Sequence, residues 1–165
     1  MKFSAHSSKG FTLIELLLVI TIIAVLAVAV FAALNPAQRL SDAKDARRTS
    51  DVDTILTAVH QSIIDNQGTL PTNMPAAGTT KQIGTGATGC AISNTNCTIA
   101  AVDCVDLMSG TQNLSAYLAS MPIDPTGGTT YTAAQTGYGV VADTNGIVTI
   151  TACGTEGTTT ISASR

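Results

Sequence analysis

Residues 10–34 read GFTLIELLLVITIIAVLAVAVFAAL, a glycine followed by 24 mostly apolar residues. A helix of that length spans about 36 Å, enough to cross a hydrocarbon core of about 30 Å. One acid, Glu15, interrupts the run five residues after Gly10, and no base lies inside the run to pair with it. A carboxylate at the bilayer centre costs about 2.5–3.5 kcal/mol on insertion scales, so an acid here marks a functional position. Whatever neutralises Glu15 comes from the chain's own end or from another molecule.

The flanks narrow the choice of what the run is. A secretory signal peptide has a basic start, a shorter apolar core and a small-residue cleavage site after it. The basic start is present in Lys2 and Lys9, and Ala27-Val28-Ala29 offers a cleavage match, but the apolar run is too long for that class. A single-pass anchor fits better. Two lysines precede the run and four bases follow it closely, so a positive-inside count by itself leans towards an external N-terminus.

At the junction MKFSAHSSKG-FTLIE the sequence resembles the type IV pilin and type II secretion pseudopilin superfamily. The shared pattern is a short polar leader ending in glycine, then Phe-Thr-Leu-Ile-Glu opening a hydrophobic helix, at Gly10 to Glu15 here. The resemblance implies cleavage after Gly10 by a membrane-embedded prepilin peptidase and methyltransferase, with N-methylation of Phe11. It also implies a leader on the cytoplasmic side and a head outside, which overrides the charge count. Before assembly the chain would sit among membrane lipid as a single-pass protein of the inner membrane. Its other partners would be copies of itself and the pilus or secretion assembly machinery, in a surface pilus or a periplasmic pseudopilus.

The chemistry agrees with that pattern. A cut before Phe11 places a free α-amine one helical turn from Glu15, and opposite charges lower each other's cost in a low dielectric. In the family the carboxylate pairs with the amine of a neighbouring subunit. Spacing alone leaves open an internal pair between Glu15 and its own Phe11 amine.

Beyond Leu34, Pro36 is expected to kink or locally open a helix, because it removes a backbone donor and clashes with the preceding turn. Family members commonly carry such a proline about four residues earlier, where this chain has Ala32. Val52, Ile55, Leu56, Val59 and Ile63 then recur at helical spacing, and Gly68 and Pro71 end the pattern. The expected fold is α+β and pilin-like: a long N-terminal helix from Phe11 to about Asn66, packed on a small antiparallel β-sheet head. The expected divisions are a leader at 1–10, a transmembrane and assembly helix at 11–34, an amphipathic continuation at 35–67 and a disulfide-bearing head at 68–165. Arg39, Lys44, Arg47 and Arg48, interleaved with Asp42 and Asp45, read as a solvated helix face.

The head is rich in Thr, Gly, Ala and Ser. Its clearest signal is a hairpin, Tyr138–Ala142 and Ile147–Cys153 joined by Asp143-Thr144-Asn145-Gly146. A short strand is expected around Tyr131 and a brief helix over Leu114–Ala119. The segment MPIDPTGGTTY, Met121 to Tyr131, resembles a connection found in major pseudopilins of type II secretion. The calcium-binding acidic loop of those proteins has no counterpart, since only Asp143 and Glu156 lie in that region, and no metal site is expected.

Cys90, Cys97, Cys104 and Cys153 fit disulfides in an oxidising compartment, with three pairings possible. The favoured pairing is Cys90–Cys97, closing a local loop, with Cys104–Cys153 tying the last strand to the sheet. A link near the C-terminus also resembles what many type IV pilins carry.

Several tempting signals are discounted. Gly84 to Gly89 spells GxGxxG, but no convincing strand precedes it and no helix follows, so it reads as a flexible loop with no cofactor. His60 has no paired nucleophile and reads as a half-exposed helix residue. Asp103 and Asp106 read as surface acids flanking Cys104. The weakly acidic remainder of the chain argues against nucleic acid as a primary partner. A filament subunit, pilin-like first and pseudopilin second, is therefore expected ahead of a monomeric tethered binding protein, with an enzyme last.

Overall fold

The computed structural model describes residues 10–126, 130–156 and 159–165. The expected leader up to Lys9, and Gly127, Gly128 and Thr129 of the pseudopilin-like segment, lie outside the described residues. The chain divides into two compact units, one ending at Leu40 and the other running Ser41–Arg165.

The first unit is helical. Helix α1, Leu13–Leu34, has Thr12 as its N-cap and buries none of its residues. Its 22 residues span about 33 Å and are long and apolar enough to cross a membrane. The helical ladder is interrupted at Asn35, which takes a left-handed conformation (φ 38°, ψ 73°). Pro36 then opens helix α2, Pro36–Asp65. The first position of a helix is where a proline's missing N–H costs nothing.

In the second unit α2 lays one stripe on a sheet. Val52, Ile55, Leu56 and Val59 recur at three- and four-residue spacing and are all at most 4% exposed. The helix ends in a Schellman turn: Gly68 N–H donates to Ile63 O (2.8 Å) and Gln67 N–H to Ile64 O (3.3 Å).

Facing α2 is a four-stranded antiparallel sheet in the order β1-β4-β5-β6. The strands are β1 (Lys81–Gln82), β4 (Tyr138–Ala142), β5 (Val148–Ala152) and β6 (Ile161–Ser164), while β2 (Ile92–Ser93) and β3 (Thr98–Ile99) form a separate hairpin. The β4–β5 register pairs Tyr138 with Ala152, Val140 with Ile150 and Ala142 with Val148. All six are buried, because alternate residues of a strand share a face and this face meets the helix. Asp143 shapes the β4–β5 turn by accepting the Asn145 and Ile147 N–H groups on Oδ1, both at 2.8 Å.

Three local expectations change. The described residues around Tyr131 form no strand, only an isolated bridge between Thr132 and Gln135. The expected helix at Leu114–Ala119 is a single 3₁₀ turn, Leu114–Ala116, capped by Asn113. The GxGxxG stretch is not a loose loop. Gly84 N–H donates to Val105 O, Gly86 N–H to Ala134 O, and Cys104 N–H to Gly86 O, all at 2.9 Å.

Candidate functional site

Glu15 stands in the first turn of α1, exposed on an apolar helix. Its Oε2 accepts from the Thr12 backbone N–H and from the Thr12 hydroxyl, both at 2.8 Å. In return the Glu15 N–H donates to Thr12 Oγ1 at 3.3 Å. This reciprocal capping box satisfies two donors that a helix start otherwise leaves orphaned. The acid therefore has a partner within the uncut chain that is a hydrogen-bond donor and not a base. The signal was present in the sequence as Thr12-Leu13-Ile14-Glu15, the T-x-x-E pattern of a capping box.

Residues 5–31 match the family model for the prokaryotic N-terminal methylation motif. Over these residues the chain is similar to the prepilin leader of type IV pilins and pseudopilins. No curated protein and no solved structure matches the chain. The methylation motif spans the polar end of the leader, Gly10, Phe11, Glu15 and most of α1. It points to a structural subunit rather than an enzyme, and with the apolar helix it fits a membrane-anchored precursor. It also implies processing by prepilin peptidase and assembly into filaments.

The chemistry available at the prepilin end follows from its geometry. Were the chain cut between Gly10 and Phe11, an amide nitrogen one residue before the N-cap would become a basic amine. An α-amine has an ordinary pKa of about 7.7–8.0 and is mostly protonated at neutral pH. The carboxylate that caps Thr12 is the acid on the first turn of that same helix, so such a cation would lie within one turn of it.

A second cluster lies where α2 meets the head, and it reverses one expectation. Arg48 does not belong to a solvated face: its side chain has no solvent exposure. Its Nε donates to Asp124 Oδ2 at 2.7 Å and its Nη2 to Asp124 Oδ1 at 2.8 Å, a two-pronged ion pair. Nη2 also donates to Thr126 Oγ1 and Nη1 to Asp45 Oδ1, each at 2.7 Å. Lys44 Nζ binds Glu156 Oε1 at 2.8 Å, and the Glu156 N–H donates to Asp45 Oδ1 at 3.2 Å.

Burial by itself pushes the Asp124 carboxyl up, but the bonds from Arg48 and Thr126 outweigh it and hold the group below the usual carboxylate range. Burial likewise pulls Arg48 down, and its bonds to Asp124 and Asp45 more than reverse that. Asp124 is the acid of the pseudopilin-like Met121–Tyr131 segment. Nothing in the spacing of Arg48 and Asp124 announces their contact, because they lie 76 residues apart.

The disulfides correct the favoured pairing. Cys90 bonds Cys104, and Cys97 bonds Cys153. Residues 86–90 run alongside 102–104, with Cys90 N–H donating to Val102 O at 3.0 Å, so Cys90 faces Cys104 and not Cys97. The β2–β3 hairpin carries Cys97 away to the end of β5, where Asn94 Nδ2 donates to Cys153 O at 2.7 Å. Cys97, Ile99 and Cys153 form a small core separate from the one under α2.

The remaining singled-out residues have structural partners. The half-buried His60 places Nε2 3.0 Å from Arg165 O, so the proton sits on that nitrogen. Asp103 pairs with Lys81 at 2.6 Å, and Asp106 Oδ1 accepts the Met108 N–H at 2.9 Å. Among the described residues no three His, Cys, Asp or Glu side chains are placed to hold a metal ion.

Proposed function

We propose that this chain is a structural subunit of a type IV pilus-like filament. Prepilin peptidase removes the leader, residues 1–10, and Phe11 becomes the N-methylated first residue. Residues 11–34 then serve as membrane anchor and later as filament core, residues 35–67 continue the helix, and residues 68–165 form the displayed head. In the filament the Glu15 carboxylate meets the Phe11 amine of a neighbouring copy, so that charge neutralisation accompanies withdrawal of α1 from lipid.

The observation that carries this reading is the methylation motif with Glu15 in the first turn of an apolar, unburied helix. Such a helix has two ways to cover its surface, lipid or other helices, and an acid on its first turn favours the partner that brings a cation. A pseudopilin of type II secretion is the second reading, favoured by the Met121–Tyr131 segment.

Mass spectrometry of the protein purified from its cells tests the proposal. The expected N-terminal peptide begins at Phe11 and carries one methyl group. An intact leader, or cleavage after the apolar run, overturns it. Electron microscopy of surface filaments separates the two readings: a pilin deletion removes them, and a pseudopilin deletion leaves them and blocks secretion.

A further inference from the structure

We infer that the Arg48–Asp124 pair sets the single register in which the head sits on α2. Burying two charges costs several kcal/mol per ion before their attraction returns anything, and an apolar pair of similar volume often does as well. Net stability is therefore a weak reason for a pair with no solvent exposure on either side chain.

Specificity is a stronger one. The stripe of Val52, Ile55, Leu56 and Val59 meets a sheet face of Val140, Val148, Ile150 and Tyr138, where apolar contact is non-directional. The Tyr138 hydroxyl adds one single-pronged bond, to Asp51 Oδ2 at 2.7 Å. A helix shifted by one turn, about 5.4 Å, again presents apolar groups to that face. The guanidinium tolerates no such shift. Its donors are spread over Asp124, Thr126 and Asp45, and the carboxylate takes both prongs of a planar fork. Slipping by one turn leaves two buried charges unpaired.

Asp124 cannot follow the helix, because backbone walls it in. A Cβ on Gly154 would stand 2.5 Å from Asp124 Oδ2, and one on Gly137 would stand 2.8 Å from Asp124 Cβ. The same turn of α2 grips the stretch that follows β5 through Lys44, Asp45 and Glu156. One helical turn thus fixes two separate segments of the head. Identical subunits of a polymer need identical heads. This consequence alone rests on the filament reading.

The test uses the full chain in detergent micelles, with both disulfides verified, and follows amide hydrogen exchange by mass. The two variants are Arg48→Met/Asp124→Asn, which removes both charges, and Arg48→Lys, which keeps the charge and loses the fork. The native protein is expected to show one mass envelope across residues 121–126. Both variants are expected to keep protection in β4 and β5 while residues 121–126 exchange about tenfold faster, in two envelopes.

A single envelope with native rates in either variant overturns the inference. Loss of the fold in both also overturns it, since the pair would then carry stability; if only the double variant fails to fold, Arg48→Lys decides. Filament yield from cells is read separately. An unmethylated Phe11 would remove the filament reading and leave the exchange result standing.

Discussion

Arg48 and Asp124 form a two-pronged ion pair that is wholly buried, joining the first half of α2 to a connection 76 residues later. Removing one partner leaves the other charge buried and uncompensated, the costliest kind of single change. Asp124→Ala in the full chain should lower stability by about 3–5 kcal/mol. Thermal melts followed by circular dichroism check it, and a loss below about 1 kcal/mol would place the carboxylate in water, in conflict with its burial.

Glu15 has two separable roles, capping α1 through Thr12 and carrying charge. Glu15→Gln keeps the capping geometry and drops the charge, whereas Glu15→Ala drops both. If charge drives assembly, both variants insert in the membrane and neither forms filaments. Normal filaments from Glu15→Gln would show that the cap is what assembly needs. Thr12→Ala is expected to weaken the helix start by about 0.5–2 kcal/mol and to spare the charge.

The disulfides should differ in weight. Cys97–Cys153 closes a sequence separation of 56 and Cys90–Cys104 one of 14. Chain entropy gives the longer loop about 4 kcal/mol and the shorter about 3. Replacing both cysteines of the Cys97–Cys153 bond by serine should therefore lower Tm more than the same change at Cys90–Cys104. Equal shifts would indicate that the hairpin at 92–99 keeps its place without its bond.

Stability should plateau across neutral pH and fall at both ends. Asp124 is held below its unfolded value of about 3.9, so its contribution is complete above that pH and is lost as pH falls through the lower folded value. Tyr138 shows the opposite sign. Burial, then its 2.7 Å bond to Asp51 Oδ2, raises the phenol well above its ordinary value of about 10, so its contribution is complete below about pH 10 and is lost above it. Tyr131 and Tyr117 are also pushed up, the first chiefly by burial and the second by its bond to Asp65. Absorbance at alkaline pH should show native tyrosines ionising later than in the denatured chain; coincident curves would contradict the burial of Tyr138.

Much of this protein follows from local sequence. The apolar run, Gly10-Phe11, the T-x-x-E cap, the stripe from Val52 to Val59 and the Asn-Gly hairpin are all short-range patterns. They work because helix and strand periods are set by the backbone and can be read within a few turns. Tertiary structure alone decided the disulfide pairing, the burial of Arg48 and its union with Asp124. Each depends on which distant segments the sheet brings alongside one another, and nothing local to a cysteine or an arginine encodes that. Four bases in ten residues look alike in sequence; folding the head around one helical turn made Arg48 different from the other three.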